Sequence, residues 1–295
     1  MENTGVAINR QTFKQKMQSY LKHPGSMIVC FLTILAAAIT TLVFVYLIAY
    51  ILIKGIPFLT PDLFQWEYNS ENVSMLPSII NTLLLTALAL IIAVPLGIFA
   101  AIYMVEYAKK GNRLVKIVRI TAETLSGIPS IVYGLFGMLC FVTMLKMRLS
   151  LLSGALTVAI MVLPTIMRTT EEALLAVPYK YREGSFGLGA GRLRTVFRIV
   201  LPAAVPGILS GVILATGRIV GETAALIYTA GTMAEVPSNI FSSARTLSVH
   251  MYLLSKEGLN TNQAFATAVV LMIMVIFINM LSNFLGKKLA AKEAD

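Results

Sequence analysis

Arg218 and Glu222 stand four residues apart inside a long apolar run, in the segment Gly217-Arg218-Ile219-Val220-Gly221-Glu222-Thr223-Ala224-Ala225. A charged side chain in a membrane span is costly unless it is paired or hydrated, so its presence marks a candidate site. On a helix the two residues share a face. At roughly 100° per residue, Gly207, Gly211, Arg218, Glu222 and Ala225 fall within about 60° of arc. Gly207 with Gly211, and Gly217 with Gly221, have the spacing that lets another helix approach closely. Two chemistries fit the pair. In one, Arg218 and Glu222 neutralise each other and fix packing. In the other, the planar guanidinium donates two parallel hydrogen bonds to a crossing oxyanion. Glu222 then holds Arg218 or exchanges partners with the anion, and Thr223 belongs to the same path. The residues alone leave both open.

A second constellation lies between apolar runs. Residues 171–202 read EEALLAVPYKYREGSFGLGAGRLRTVFRIVLP. Glu183, Gly184, Ser185, Gly189, Ile199, Leu201 and Pro202 follow the spacing E-x5-G-x9-I-x-L-P. A short helix ended by Gly187, Gly189 and Gly191 can reverse sharply. Pro202 can open the following span, where its missing N–H costs least. The expected product is a firm polar protrusion on which another subunit could push. GLGAG has no strand before it and a membrane helix after it, which excludes a dinucleotide fingerprint. No GxxxxGK[ST] occurs, and Gly286-Lys287-Lys288 is not a phosphate loop. ATP hydrolysis is therefore not expected in this chain. Cys30 and Cys140 fall in separate apolar runs, and His23 and His250 are far apart, so neither type gives a metal or nucleophile spacing. No catalytic residue, metal or cofactor is expected.

Composition places these residues in a membrane. Of 295 residues 57% are hydrophobic and 13% charged, with mean hydropathy +0.79; soluble domains carry roughly twice that charge fraction. Apolar stretches long enough to span a bilayer occur at about 27–53, 78–104, 125–145, 150–167, 203–229 and 264–285. The first is too long for a cleaved signal core. Eighteen of the 24 Lys and Arg lie in the N-terminus, the loops 105–124 and 168–202, and the C-terminus; five lie in the alternate segments, and Arg218 is inside a span. That bias predicts both termini and loop 168–202 in the cytoplasm, and explains the net charge of +10 without nucleic acid. The layout is a cytoplasmic segment 1–26, a transmembrane region 27–285 and a cytoplasmic tail 286–295. Phe13, Met17, Tyr20 and Leu21 recur among lysines, which suits a surface helix or an ordinary tail equally. Outer segments 55–77 and 230–263 are long enough to meet an extracytoplasmic partner or simply be solvated.

The loop spacing resembles the EAA loop of ABC-importer permeases. RxxGETA at Arg218–Ala224 is similar to the phosphate permeases of the PstA type. Asn81-Thr82-Leu83-Leu84, Ser126-Gly127-Ile128-Pro129-Ser130 and Arg168-Thr169-Thr170-Glu171-Glu172 carry the likeness over about residues 78–285. Gly184-Ser185 stands where many relatives have Ala-Ala. The resemblance implies an all-α, six-span permease of the type I ABC importer fold, passing inorganic phosphate across the plasma membrane. It implies a second, similar permease subunit, an ATPase dimer docked on Glu183, Gly184, Ser185, Gly189, Leu201 and Pro202, and an extracytoplasmic phosphate-binding protein. The alternatives are a molybdate or sulfate permease, whose relatives often carry an aromatic where Thr223 stands, and an ion-coupled secondary transporter, which needs no docking loop.

Overall fold

The computed structural model describes residues 24–109 and 111–292. The pattern at Phe13–Leu21 and most of segment 1–26 lie outside them, as do residues 293–295 of the tail. The described residues form helices and no strand. In chain order these are α1 (Pro24–Gly55), α2 (Leu76–Tyr107), α3 (Arg113–Ser126), α4 (Ser130–Met144), α5 (Leu151–Ala176), α6 (Tyr179–Gly187), α7 (Arg192–Val220), α8 (Ala224–Thr229), α9 (Leu247–Glu257) and α10 (Thr261–Lys292). Five of them, α1, α2, α5, α7 and α10, are long and apolar enough to cross a membrane, and α3 with α4 make a sixth, bent span.

Two compact units divide after Ile53. The first holds nearly all of α1, which is apolar on every face. Three of its hydroxyls are satisfied internally: Thr33, Thr40 and Thr41 each donate to the carbonyl four residues back, as suits a helix surrounded by hydrocarbon.

The second unit is built in three layers along α2. Met75 belongs to an apolar cluster with Leu63, Val220 and Leu247. The middle layer joins Leu85 and Ala89 to Tyr133, Met161, Ile219 and Leu226. The third joins Ala101 and Met104 to Leu174, Val196 and Val200. Burial of these side chains sets the helix positions, while small residues set the closest crossings. A Cβ on Gly211 would lie 1.9 Å from Thr169 Oγ1, and one on Gly207 would lie 2.6 Å from Ala173 Cβ. The Gly207–Gly211 face is therefore where α7 meets α5. The Gly217–Gly221 face is different. No atom lies within 4 Å of a Cβ built on Gly217, and one on Gly221 meets only the Gly217 carbonyl of its own helix. The close helix approach expected there is absent among the described residues.

Three expected spans change shape. The stretch 125–145 is not straight: α3 and α4 meet at 105°. Gly127 closes α3, and Pro129 has no N–H with which to continue it. The Tyr133 hydroxyl donates to the Leu125 carbonyl at 2.7 Å and ties the two arms together. The stretch 203–229 breaks at Gly221–Thr223, between α7 and α8. The stretch 150–167 runs on to Ala176, so part of the expected loop 168–202 is helix. Its charged residues stay on that helix because they pair: Arg168 with Glu172 one turn on, and Glu171 with Arg119 of α3.

Candidate functional site

The break between α7 and α8 places the first candidate residues. α7 ends at Val220, so Glu222 follows the helix, its N–H donating to the Ile219 carbonyl at 3.1 Å rather than to that of Arg218. Its Oε1 instead accepts the Ala225 N–H at 3.0 Å, satisfying a free donor in the first turn of α8. Its backbone carbonyl accepts the Ser248 hydroxyl of α9 at 2.6 Å. Glu222 is buried and committed to holding the break. Thr223 is half-buried beside it, and its hydroxyl reaches only the Gly221 carbonyl, at 3.4 Å.

Arg218 is left alone by this arrangement. It is half-buried and makes no hydrogen bond or ion pair among the described residues, so the expected Arg218–Glu222 pair does not form. Tyr133 of α4 lies within electrostatic reach of its charge. The two irregular spans meet here: a Cβ on Gly134 of α4 would lie 2.7 Å from the Ala225 Cα of α8. The bend and the break leave Arg218 with open space at the adjacent Gly217. An unpaired guanidinium can offer its two-pronged donor set to an oxyanion.

The second group lies on α6 and the turn after it. Ser185 is buried, and its hydroxyl is 2.7 Å from that of Thr195. Gly189 has φ +79°, a left-handed conformation that a side chain would strain. Its N–H donates to the Phe186 carbonyl, and the Ala190 N–H to the Ser185 carbonyl, completing the reversal expected from the glycines. Glu183 and Gly184 are exposed. Leu201 and Pro202 are half-buried in a helix that starts earlier than expected, at Arg192. Pro202 follows a π-helical turn, Val196–Val200; such wider turns are frequent at functional sites.

Two features escaped sequence reasoning. One is an apolar rim around α6: Tyr179, Tyr181, Phe186, Leu188 and Leu193 are all exposed, Leu188 at 91%. The other is Arg182, buried beneath α6 and bonded to Glu106, 76 positions earlier. Apart from these, a cavity of ≈ 550 Å³ lies between α3, α5 and α7, with Arg119, Glu123, Arg168, Glu171 and Glu172 in its lining.

The family model for the binding-protein-dependent transport system inner membrane component matches residues 93–293, and the chain belongs to that family. It is 34% identical over 282 residues to the probable ABC transporter permease protein YqgI of Bacillus subtilis, covering 87% of this chain and 95% of that one. It is 32% identical over 234 residues to the phosphate transport system permease protein PstA of Haemophilus influenzae, covering 78% and 82%. Among solved structures, a bacterial ABC transporter importing alginate superposes with TM-score 0.64 at 18% identity over 92% of this chain and 99% of that one. That likeness extends the fold to the type I ABC importer permeases. The chain is thus a membrane-embedded transport subunit of an ATP-driven importer. ATP hydrolysis resides on a separate subunit, and an ion-coupled transporter is set aside.

Proposed function

We propose that this permease passes inorganic phosphate, with Arg218 as the group that receives it. The observation that carries this reading is the isolation of Arg218. Its expected carboxylate partner is used to cap α8, so the guanidinium is held half-buried without a protein acceptor. A buried cation without compensation is unfavourable, and an oxyanion passing the break is a natural compensating partner. Similarity to PstA of Haemophilus influenzae and PstA 1 of Mycobacterium tuberculosis supports phosphate over other oxyanions. Glu222 serves as the positioning carboxylate that keeps the break open, and Thr223 lines the same opening.

The protruding helix α6 is the docking element for the ATPase. Its exposed apolar rim and its rigid Gly189 reversal support this, as do Glu183 and Gly184 on its surface. Leu201 and Pro202 then join the docking turn to the membrane part of α7. The chain pairs with a second permease subunit of similar build, with an ATPase dimer on the cytoplasmic side and a phosphate-binding protein outside. Both termini lie in the cytoplasm, following the Lys and Arg bias.

The test is uptake of radiolabelled inorganic phosphate in a strain lacking this subunit, complemented with wild type, Arg218→Gln or Arg218→Lys. Phosphate uptake should return with wild type, resist competition by sulfate and molybdate, and be absent with Arg218→Gln at normal complex assembly. Competition by either anion at equal concentration would favour the other oxyanion. Orientation is checked with an impermeant thiol reagent on intact cells: a cysteine at Asn69 should react and one at Lys180 should not.

A further inference from the structure

Arg182 is only 7% exposed, although its neighbours Tyr181 and Glu183 on α6 are exposed. Its Nε donates to Glu106 Oε1 at 3.1 Å and its Nη2 to the same oxygen at 2.6 Å. Nη1 donates to the Val177 carbonyl at 2.9 Å, and Nη2 also to the Leu174 carbonyl at 3.0 Å. Those carbonyls belong to the C-terminal end of α5, which an α-helix leaves without internal donors. A cation there also meets the negative end of the helix dipole. Glu106 lies in the π-helical last turn of α2. One side chain therefore joins three elements: it rises from α6, caps α5 and pairs with α2. Among the described residues the α6 backbone makes no hydrogen bond to α2; Ser185 of α6 bonds Thr195 within the hairpin, and Arg192 at the start of α7 lies over the Tyr107 ring of α2 at 5.8 Å.

We propose that Arg182, held by Glu106, is the latch that passes motion of the docking helix to α2 and α5. It is a positioning residue, resting on the reading of α6 as the docking element. The physical reason is stiffness. A hairpin seated on apolar contacts alone can slide or tilt under a push from the ATPase. A planar guanidinium bonded to acceptors on two different helices fixes both distance and angle. A displacement of α6 must then move the ends of α2 and α5. Through the Gly207–Gly211 contact, α5 bears on α7, the helix that carries Arg218.

The test is made on the assembled importer, reconstituted with its ATPase, and does not depend on the identity of the solute. Cys30 and Cys140 are replaced by alanine, and Gly217→Cys, where the structure leaves open space, reports the state of α7. The probe is the rate of thiol labelling with and without ATP plus vanadate. With the latch intact, trapping should change that rate about tenfold, the scale of a typical coupling between distant sites. The double variant Glu106→Gln/Arg182→Met removes both charges together. It should capture the ATPase and hydrolyse ATP as before, while the labelling rate stops responding to ATP. A full response in this variant overturns the latch. Should the double variant fail to assemble, Arg182→Lys decides: it keeps the charge but cannot span the same acceptors. A reduced response at normal assembly supports the latch, and a full response overturns it. Leu188→Asp, on the exposed rim, separates the two readings. It should lose ATPase capture with the latch in place, and normal capture would overturn the docking role on which the latch rests.

Discussion

Arg182 and Arg218 are the same side chain in opposite circumstances. Arg182 is nearly buried and every prong of its guanidinium has an acceptor. Arg218 is half-buried and has none among the described residues. A third base, His250, follows another course. Burial and the neighbouring Arg245 lower its pKa from 6.5 to about 4, so it stays neutral near pH 7. A folded membrane protein thus has two usual ways to tolerate a basic side chain away from water: pair it or discharge it. Arg218 uses neither, since an arginine cannot be discharged. That contrast gives Arg182 a structural place and leaves Arg218 as the arginine proposed to receive the anion.

The contrast breaks first, and most visibly, at Arg218. Removing a charge that meets an oxyanion should cost about 2–5 kcal/mol of that interaction, so Arg218→Gln should lower phosphate uptake about a hundredfold or more. Thermal stability should hardly change, because no protein partner is orphaned. Uptake per assembled complex, with assembly checked by capture of the ATPase, reads both. A destabilised complex would place Arg218 among the structural arginines.

Arg182 predicts the reverse pattern. Arg182→Met orphans Glu106 and two helix-end carbonyls, and should destabilise the folded subunit by about 3–5 kcal/mol. Adding Glu106→Gln should recover much of this loss, because the uncompensated charge is gone. Melting of the detergent-solubilised subunit measures the cycle. Additive losses in the double variant would show that the two side chains act independently.

His250 supplies a pH test of the discharged case. Its folded pKa, about 4, is below its unfolded value of 6.5. Between these values the unfolded chain binds more protons than the folded one. Stability should therefore fall as pH falls from about 6.5 to about 4, at a slope of at most about 1.4 kcal/mol per pH unit. His250→Gln should flatten that slope. An unchanged slope would assign the acid sensitivity to other groups.

Much of this was legible because membrane physics writes plainly. Apolar runs marked α1, α2, α5, α7 and α10, and the glycines between Glu183 and Pro202 marked the reversal after α6, the element proposed to dock the ATPase. What stayed hidden depended on local irregularity. The eye reads 203–229 as one apolar helix, since Gly221 and Thr223 are tolerable inside one; only Glu222 turning to cap Ala225 reveals the break. The α3–α4 bend was signalled by Gly127 and Pro129, but prolines elsewhere, such as Pro164, sit inside continuous helices. Glu106 and Arg182 were unreadable as a pair because nothing local links residues so far apart. Periodicity put Glu222 beside Arg218 on the assumption of helical continuity, and that assumption failed where the function is proposed to lie.

The smallest expected effect sharpens the comparison along a single helix. Gly211 and Gly217 both lie on α7, and sequence alone gives each the same role of admitting a neighbouring helix. The structure separates them. A methyl group at Gly211 would collide with Thr169 Oγ1 at 1.9 Å, whereas one at Gly217 meets nothing within 4 Å. Gly211→Ala should therefore force α5 and α7 apart and cost about 1–3 kcal/mol. Gly217→Ala should be neutral or stabilising by up to about 1 kcal/mol, because alanine favours the helix. Both are read by thermal melting of the purified subunit. Equal losses would mean that the space beside Arg218 is filled by packing, as it is at Gly211. Opposite signs would support the division of α7 into a packed half against α5 and an open half beside Arg218, where the anion is proposed to pass.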